Sequence, residues 1–90
     1  MEVEYDPAKR AQTLQQRGLD MEDAVKVLTG PALTYLDVRR DYGEERWITV
    51  GHLENRMVIV VWTLRGKAYR IISMRKANAH EQETYRDRLG

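Results

Sequence analysis

Hydrophobic and polar positions change their period along this chain, and the changes mark out its elements. Val3 and Tyr5 alternate with Glu2 and Glu4, the two-residue period of a short half-buried strand. Asp6-Pro7 follows, a side-chain acceptor for an N-cap and then a proline whose missing N–H costs nothing in a first turn. A helix is expected over Pro7–Arg17, with Ala8, Ala11, Leu14 and Gln15 as its inner stripe and Gly18 as a left-handed stop. Asp20 opens a second, short helix to about Leu28, with Met21, Ala24, Val25 and Leu28 at helical spacing, and Gly30-Pro31 ends it. Ala32–Leu36 reads equally as a strand or as irregular chain, and the charged stretch Asp37–Glu45 is a loop.

Three strand signals come next, Arg46–His52, Met57–Leu64 and Ala68–Arg75. They are joined by Leu53–Arg56 and by Arg65-Gly66-Lys67, both of hairpin length. Met57–Trp62 is apolar on both faces and belongs at the centre of a sheet. Asn78 followed three residues later by Glu81 makes a capping box for a last helix to about Arg88. The expected fold is α+β: a small antiparallel sheet with an N-terminal strand and two helices, closed by a C-terminal helix, in the order β-α-α-β-β-β-α. With 90 residues and no repeat or linker, one domain over residues 1–90 accounts for the chain.

Composition narrows the functional classes. There is no cysteine, so neither disulfides nor thiolate metal sites support the core, and a reducing compartment fits. The acidic N-terminus has no apolar signal segment and no apolar run approaches the ~20 residues that span a bilayer, which points to the cytoplasm and away from membranes. Net charge is +1 but divided: residues 1–54 carry seven Lys/Arg and eleven Asp/Glu, residues 55–90 eight Lys/Arg and three Asp/Glu. No acidic residue lies between Glu54 and Glu81. Such a division suits a polyanion-binding surface, and it equally suits a strand edge guarded by Lys and Arg.

The usual catalytic constellations are missing. The two histidines, His52 and His80, have no second ligand at metal spacing, glycines occur singly, and the lone Ser73 has no adjacent base. No metal and no cofactor is expected. What remains is a basic and aromatic surface on the last hairpin: Arg65, Lys67, Tyr69, Arg70, Arg75 and Lys76, with Trp62. Arg and Lys hold phosphates, and Tyr and Trp stack on unpaired bases or pack in a core. A regular pleat puts Tyr69, Ser73 and Arg75 on one face and Arg70 on the other, so these groups converge only if the strand twists or bulges. Arg70, inside a strand between Tyr69 and Ile71, needs either an internal carboxylate or a bound phosphate.

A set of short motifs in fixed order carries a resemblance over the whole chain. It comprises Tyr5-Asp6-Pro7-x-Lys9, Gly18 before an acid-capped helix, and Glu45-Arg46 leading a strand through Gly51. The hairpin Val-Val-x-Thr63-x-Arg65-Gly66 and Arg70-Ile-Ile-Ser73-x-Arg75-Lys76-Ala77 before a helix with Tyr85 complete it. Together these resemble the BrnT family of type II toxins. The resemblance implies a RelE-like fold, ribonuclease activity that arrests translation, and a BrnA-type antitoxin that neutralises the toxin and alone contacts operator DNA. It differs in Gln16-Arg17-Gly18, where the family usually has Lys-His-Gly, and in Leu64, where Glu is frequent.

Carried onto this sequence, the resemblance matches the polar positions Lys9, Glu45, Arg46, Thr63, Arg65, Arg70, Ser73 and Arg75. Of these Arg70, Arg75, Glu45 and Lys9 are the catalytic candidates, and Arg46 and Arg65, with Lys67 and Lys76 of the basic hairpin, are the RNA contacts. Arg70 and Arg75 would clamp the scissile phosphate, Lys9 or Arg46 would assist, and Glu45 or His80 would move the proton. Two other classes fit the same residues: an inactive module that only binds its antitoxin, and a nucleic-acid-binding domain without cleavage, which would show a steep salt dependence.

Overall fold

The computed structural model describes residues 1–89. Its elements in chain order are β1 (Glu2–Glu4), α1 (Pro7–Arg17), a single 3₁₀ turn (Met21–Asp23), α2 (Ala24–Thr29), β2 (Ala32–Leu36), β3 (Trp47–Leu53), β4 (Arg56–Arg65), β5 (Ala68–Lys76) and α3 (Ala79–Leu89). The α+β class holds. The sheet is mixed rather than antiparallel throughout, because β1 runs parallel to β5 while all other neighbours are antiparallel. It also has a fifth strand, since Ala32–Leu36 pairs with β3. The order is β1-β5-β4-β3-β2, with the doubly apolar β4 in the middle.

Local chemistry sets the element ends. Asp6 accepts the Ala8 N–H at 2.9 Å to start α1, and Gly18 (φ 68°) closes it with its N–H on the Leu14 carbonyl at 3.0 Å. The hairpin from β3 to β4 turns on Glu54 and Asn55, both at positive φ, as in the two-residue turn whose twist matches its strands. At the α3 start both capping-box bonds form: Asn78 N–H to Glu81 at 2.9 Å and Glu81 N–H to Asn78 at 2.8 Å.

Each face of the sheet carries its own core. Val58, Val60, Trp62, Ile71 and Met74 meet Leu19, Met21, Ala24 and Val27 on the face under α1 and α2. Ile48, Val50, Met57, Ile59 and Val61 lie on the other face with Tyr85 and Leu89 of α3. Gly51 is required on the first face because a Cβ there would come within 2.9 Å of Val27 Cγ1.

Helix α1 departs from the apolar stripe expected of it. Leu14 is 49% exposed, Ala8 and Ala11 are exposed, and Thr13 is its one buried residue. The side that meets the sheet is instead Lys9-Thr13-Arg17, at four-residue spacing, with Thr13 buried and the two cations exposed but bonded to β5. β1 covers β5 only from Ala68 to Arg70, and beyond that the strand's edge carbonyls would lack partners. The Lys9 ammonium donates to the Ile72 carbonyl and Arg17 Nη1 to that of Met74 at 2.9 Å. Arg10 adds a fork onto Asp20 at 2.8 and 3.0 Å. The helix is held by its cations, which a hydrophobicity pattern cannot show.

Candidate active-site cleft

A bulge in β5 decides which side chains share a face. Ser73 lies opposite Val61 and Ile71 opposite Trp62, so Ile72 is an extra residue. The alternation is thereby reset. Arg70 pairs with Thr63, Ser73 with Val61 and Arg75 with Ile59, alternate residues of β4 and therefore one face, the face that carries α3. Tyr69 turns to the opposite face and joins the core there.

On the α3 face, beside that helix, lies a cleft of about 370 Å³. Its floor is Ile48, Ile59 and Val61; Ser73, Arg75 and Glu81 form one wall, and the end of β2 with the segment through Arg39 forms the other. Arg75 Nη1 and Nη2 donate to the two Glu81 oxygens at 2.8 Å each. That fork holds the Glu81 carboxyl down at about 2 and raises the arginine further above its ordinary value. Across the cleft, Arg39 Nε and Nη2 fork onto Asp37 at 2.8 Å each. Asp37, whose side chain is fully buried, also accepts the Arg39 N–H and the Tyr42 hydroxyl at 3.1 Å each. These bonds, the Arg39 guanidinium first, keep its carboxyl well below the usual carboxylate range.

Tyr35 completes the rim, its hydroxyl 3.1 Å from that of Tyr85. Burial first, then that hydroxyl contact, push its pKa up to about 12, so its hydroxyl stays protonated at neutral pH. The cleft thus presents two guanidinium groups, each fixed by a carboxylate that leaves some of its N–H groups unused, and the hydroxyls of Ser73 and Tyr35 over an apolar floor. A guanidinium anchored in this way is a preorganised site for a phosphate.

The eight sequence candidates do not gather in one place. Arg75 alone lines the cleft. Arg70 shares its face, but its row on β4 is Thr63 against Ile59 for Arg75, so the two stand apart, and Arg70 bonds Glu4 at 3.3 Å. Arg46 stacks on Tyr42, 4.1 Å from the ring centre, and donates to Glu44 at 3.2 Å; Arg65 reaches the same Glu44 at 3.6 Å. Glu45 is exposed, and its backbone carbonyl accepts the Thr63 hydroxyl at 2.6 Å. Lys67 is exposed on the β4–β5 turn, Lys76 lies at the other end of β5 beside Gly18, and Lys9 is engaged at the strand edge.

Of the two readings open for Trp62 and Tyr69, packing in the core holds: Trp62 is buried and Tyr69 packs against the same cluster, their rings 5.0 Å apart, with the Trp62 indole N–H on Thr49 at 2.8 Å. The charge division is partly used up inside the fold, where Glu4 meets Arg70 and Glu44 meets Arg65. Sequence reasoning missed Tyr35, Asp37, Arg39 and Glu81 as cleft residues. Asp37-Val-Arg39 looked like any charged loop, while Glu81 was legible only as a helix cap. Among the described residues no three His, Cys, Asp or Glu side chains gather where they could hold a metal ion, and no helix is long and apolar enough to cross a membrane.

No curated protein gives a significant match to the chain. The family model described as "Ribonuclease toxin, BrnT, of type II toxin-antitoxin system" matches residues 5–81, a span that runs from the end of β1 to the cleft residue Glu81 and takes in every strand of the cleft floor. Such a family implies an antitoxin as partner. The chain belongs to the BrnT family, the ribonuclease toxins of type II toxin–antitoxin systems.

Proposed function

We propose that this toxin is an endoribonuclease that cuts RNA without a metal ion and so inhibits translation, acting as one domain over residues 1–90 in the cytoplasm. Its partner is a BrnA-type antitoxin, through which alone it meets operator DNA. The observation that carries the reading is the pair of anchored arginines, Arg75 on Glu81 and Arg39 on Asp37, facing one cleft in a chain of a ribonuclease family.

The scissile phosphate lies between Arg75 and Arg39, whose unused N–H groups stabilise the dianionic phosphorane. The 2′-hydroxyl attacks phosphorus, its proton leaves to a carboxylate, and the bond to the 5′-oxygen breaks as that oxygen takes a proton. Glu81 is the carboxylate at hand. Free, it is too weak a base, but a phosphate that shares Arg75 brings negative charge beside it and raises its affinity for a proton. Tyr35, protonated at neutral pH, supplies the acid. Arg70, Arg46 and Arg65 extend the basic strip along the RNA beyond the cleft. Glu45 is exposed in the loop that leads into β3 and serves as the alternative proton acceptor, and Lys9 acts on the site through the bulge.

The test is cleavage of a labelled RNA by purified protein in EDTA. Arg75→Ala and Arg39→Ala should each lower the rate about 10²-fold or more, the scale of losing one preorganised donor, and Arg75→Lys should not restore it. Rates within threefold of the parent for both alanine variants would remove the cleft from the mechanism. One observation favours a second reading, a toxin-family module that binds its antitoxin without cutting RNA: Arg39, Arg46, Arg65, Arg70 and Arg75 each already has a carboxylate. A parent protein that neither cleaves RNA nor arrests growth when expressed alone would establish that reading.

A further inference from the structure

The two edges of the sheet are finished differently. β1 is three residues long with a glutamate at each end, and where it stops the β5 edge is taken by Lys9 and Arg17. Short, charged and covered edges of this kind resist further pairing. β2 at the opposite edge has no such device: Ala32-Leu-Thr-Tyr-Leu36 contains no charged residue. The Asp37 N–H bonds the Arg46 carbonyl at 2.8 Å, which phases the ladder. With Tyr35 opposite Ile48 and Leu33 opposite Val50, Leu33 and Tyr35 bond inward to β3. The backbone N–H and C=O of Ala32, Thr34 and Leu36 therefore point outward, and no other element of the described residues meets them. Tyr35, Leu36 and Val38 along this line are 41, 39 and 80% exposed.

We propose that β2 takes up an extended, acid-bearing segment of the antitoxin as a sixth strand, and that this segment, continuing past Leu36, closes the cleft by bringing a carboxylate to Arg39. The closure half rests on the reading of the cleft given above; the strand half does not. A row of alternating donors and acceptors is matched by another backbone, and a strand is the conformation that supplies one. The end of β2 and Val38 are themselves a wall of the cleft, so a chain that follows β2 is delivered to its mouth. Charge selects the partner. Arg88 lies beside Leu33, Thr34 and Tyr35 at the middle of the edge, with no carboxylate at ion-pair distance among the described residues. A second copy paired about Thr34 would bring Arg88 against its own counterpart, whereas an acidic side chain on an added strand would meet a cation there and at Arg39.

Residue-resolved amide exchange of the toxin, alone and in complex with the protein encoded by its adjacent antitoxin gene, tests this. Strand addition protects alternate residues: Ala32, Thr34 and Leu36 should exchange at least tenfold more slowly in the complex, while Leu33 and Tyr35, already bonded inward, change little. Equal rates for the three amides in free and bound toxin would overturn the proposal. So would protection that appears without antitoxin and grows with toxin concentration, the sign of a second copy. Leu36→Pro removes one outward N–H at the kind of position where a sheet tolerates proline, and should weaken antitoxin binding at least tenfold. Binding within twofold of the parent would count against the added strand. RNA cleavage measured beside exchange separates the two claims: a protein that never cuts RNA yet protects these amides keeps the strand and loses the nuclease.

Discussion

Glu81 does two jobs that a single substitution separates. In the parent, one carboxylate oxygen accepts both the Asn78 N–H at 2.9 Å and Arg75 Nη1 at 2.8 Å, and the other accepts Arg75 Nη2 at 2.8 Å. Glu81→Gln keeps an oxygen for the capping box but sets an NH2 against the guanidinium, so the fork is lost while the helix start survives. A carboxyl held at about 2 against an ordinary 4.5 corresponds to roughly 3 kcal/mol if the pair were sheltered. Because the Arg75 side chain is 40% exposed, screening by water reduces this to about 1–2 kcal/mol. The Glu81 pKa is depressed by folding, so the stability it contributes is fully present above pH 4.5 and is lost as pH falls through about 2.

Urea unfolding of parent and E81Q should therefore differ by about 1–2 kcal/mol from pH 7 down to pH 5, with roughly half or more of the gap gone at pH 3. Cleavage should fall about 10²-fold in the same variant, while RNA binding is kept because a negative charge has been removed beside the phosphate. A stability gap that does not change between pH 7 and pH 3 would refute the ion-pair reasoning. Full cleavage by E81Q would refute its part in proton transfer.

Gly51→Ala should destabilise the fold by about 1–3 kcal/mol, seen as a lower urea midpoint with unchanged slope, because its Cβ would press on Val27 Cγ1 at 2.9 Å and Ala32 Cβ at 3.3 Å. Lys9→Met removes the donor from the bulge carbonyl of Ile72 and should lower stability by about 0.5–1.5 kcal/mol. If Lys9 acts through the bulge, Lys9→Arg should restore cleavage and the Ile72 region's amide shifts together. A Lys9→Met protein with parental cleavage would show that the bulge stands without it.

Most of the element boundaries were legible because they rest on short-range chemistry. Asp6-Pro7, Gly18, the Asn78–Glu81 box and the two hairpin turns act within a few residues, and the doubly apolar Met57–Trp62 run could only be central. What escaped the sequence depends on contacts between distant residues. The parallel seat of β1 beside β5 leaves no local signal. Neither does the bulge at Ile72, which reverses the face of Arg70 relative to a regular pleat and was legible only as a condition for convergence. Helix α1 misled because its apolar residues face out while Lys9 and Arg17 cap a strand edge. Of the candidate site, Arg75 was found from its place in the basic hairpin. Its counterpart Arg39 was not, because an Asp-x-Arg pair in a loop becomes informative only when its carboxylate is seen to be buried.

The parallel seat of β1 also bears on how the toxin comes into being. Glu4 and the Arg70 it bonds are separated by 66 residues. On a ribosome adding roughly 5–20 residues per second, the first strand waits about 3–13 s before its neighbour exists. Until then the nascent chain cannot fill its seat beside Ala68–Arg70, and closing so long a loop is among the slower steps a small fold can demand. The segment made first is thus placed late, and a messenger cut before the codons of β5 yields a product that can neither complete its sheet nor assemble the cleft.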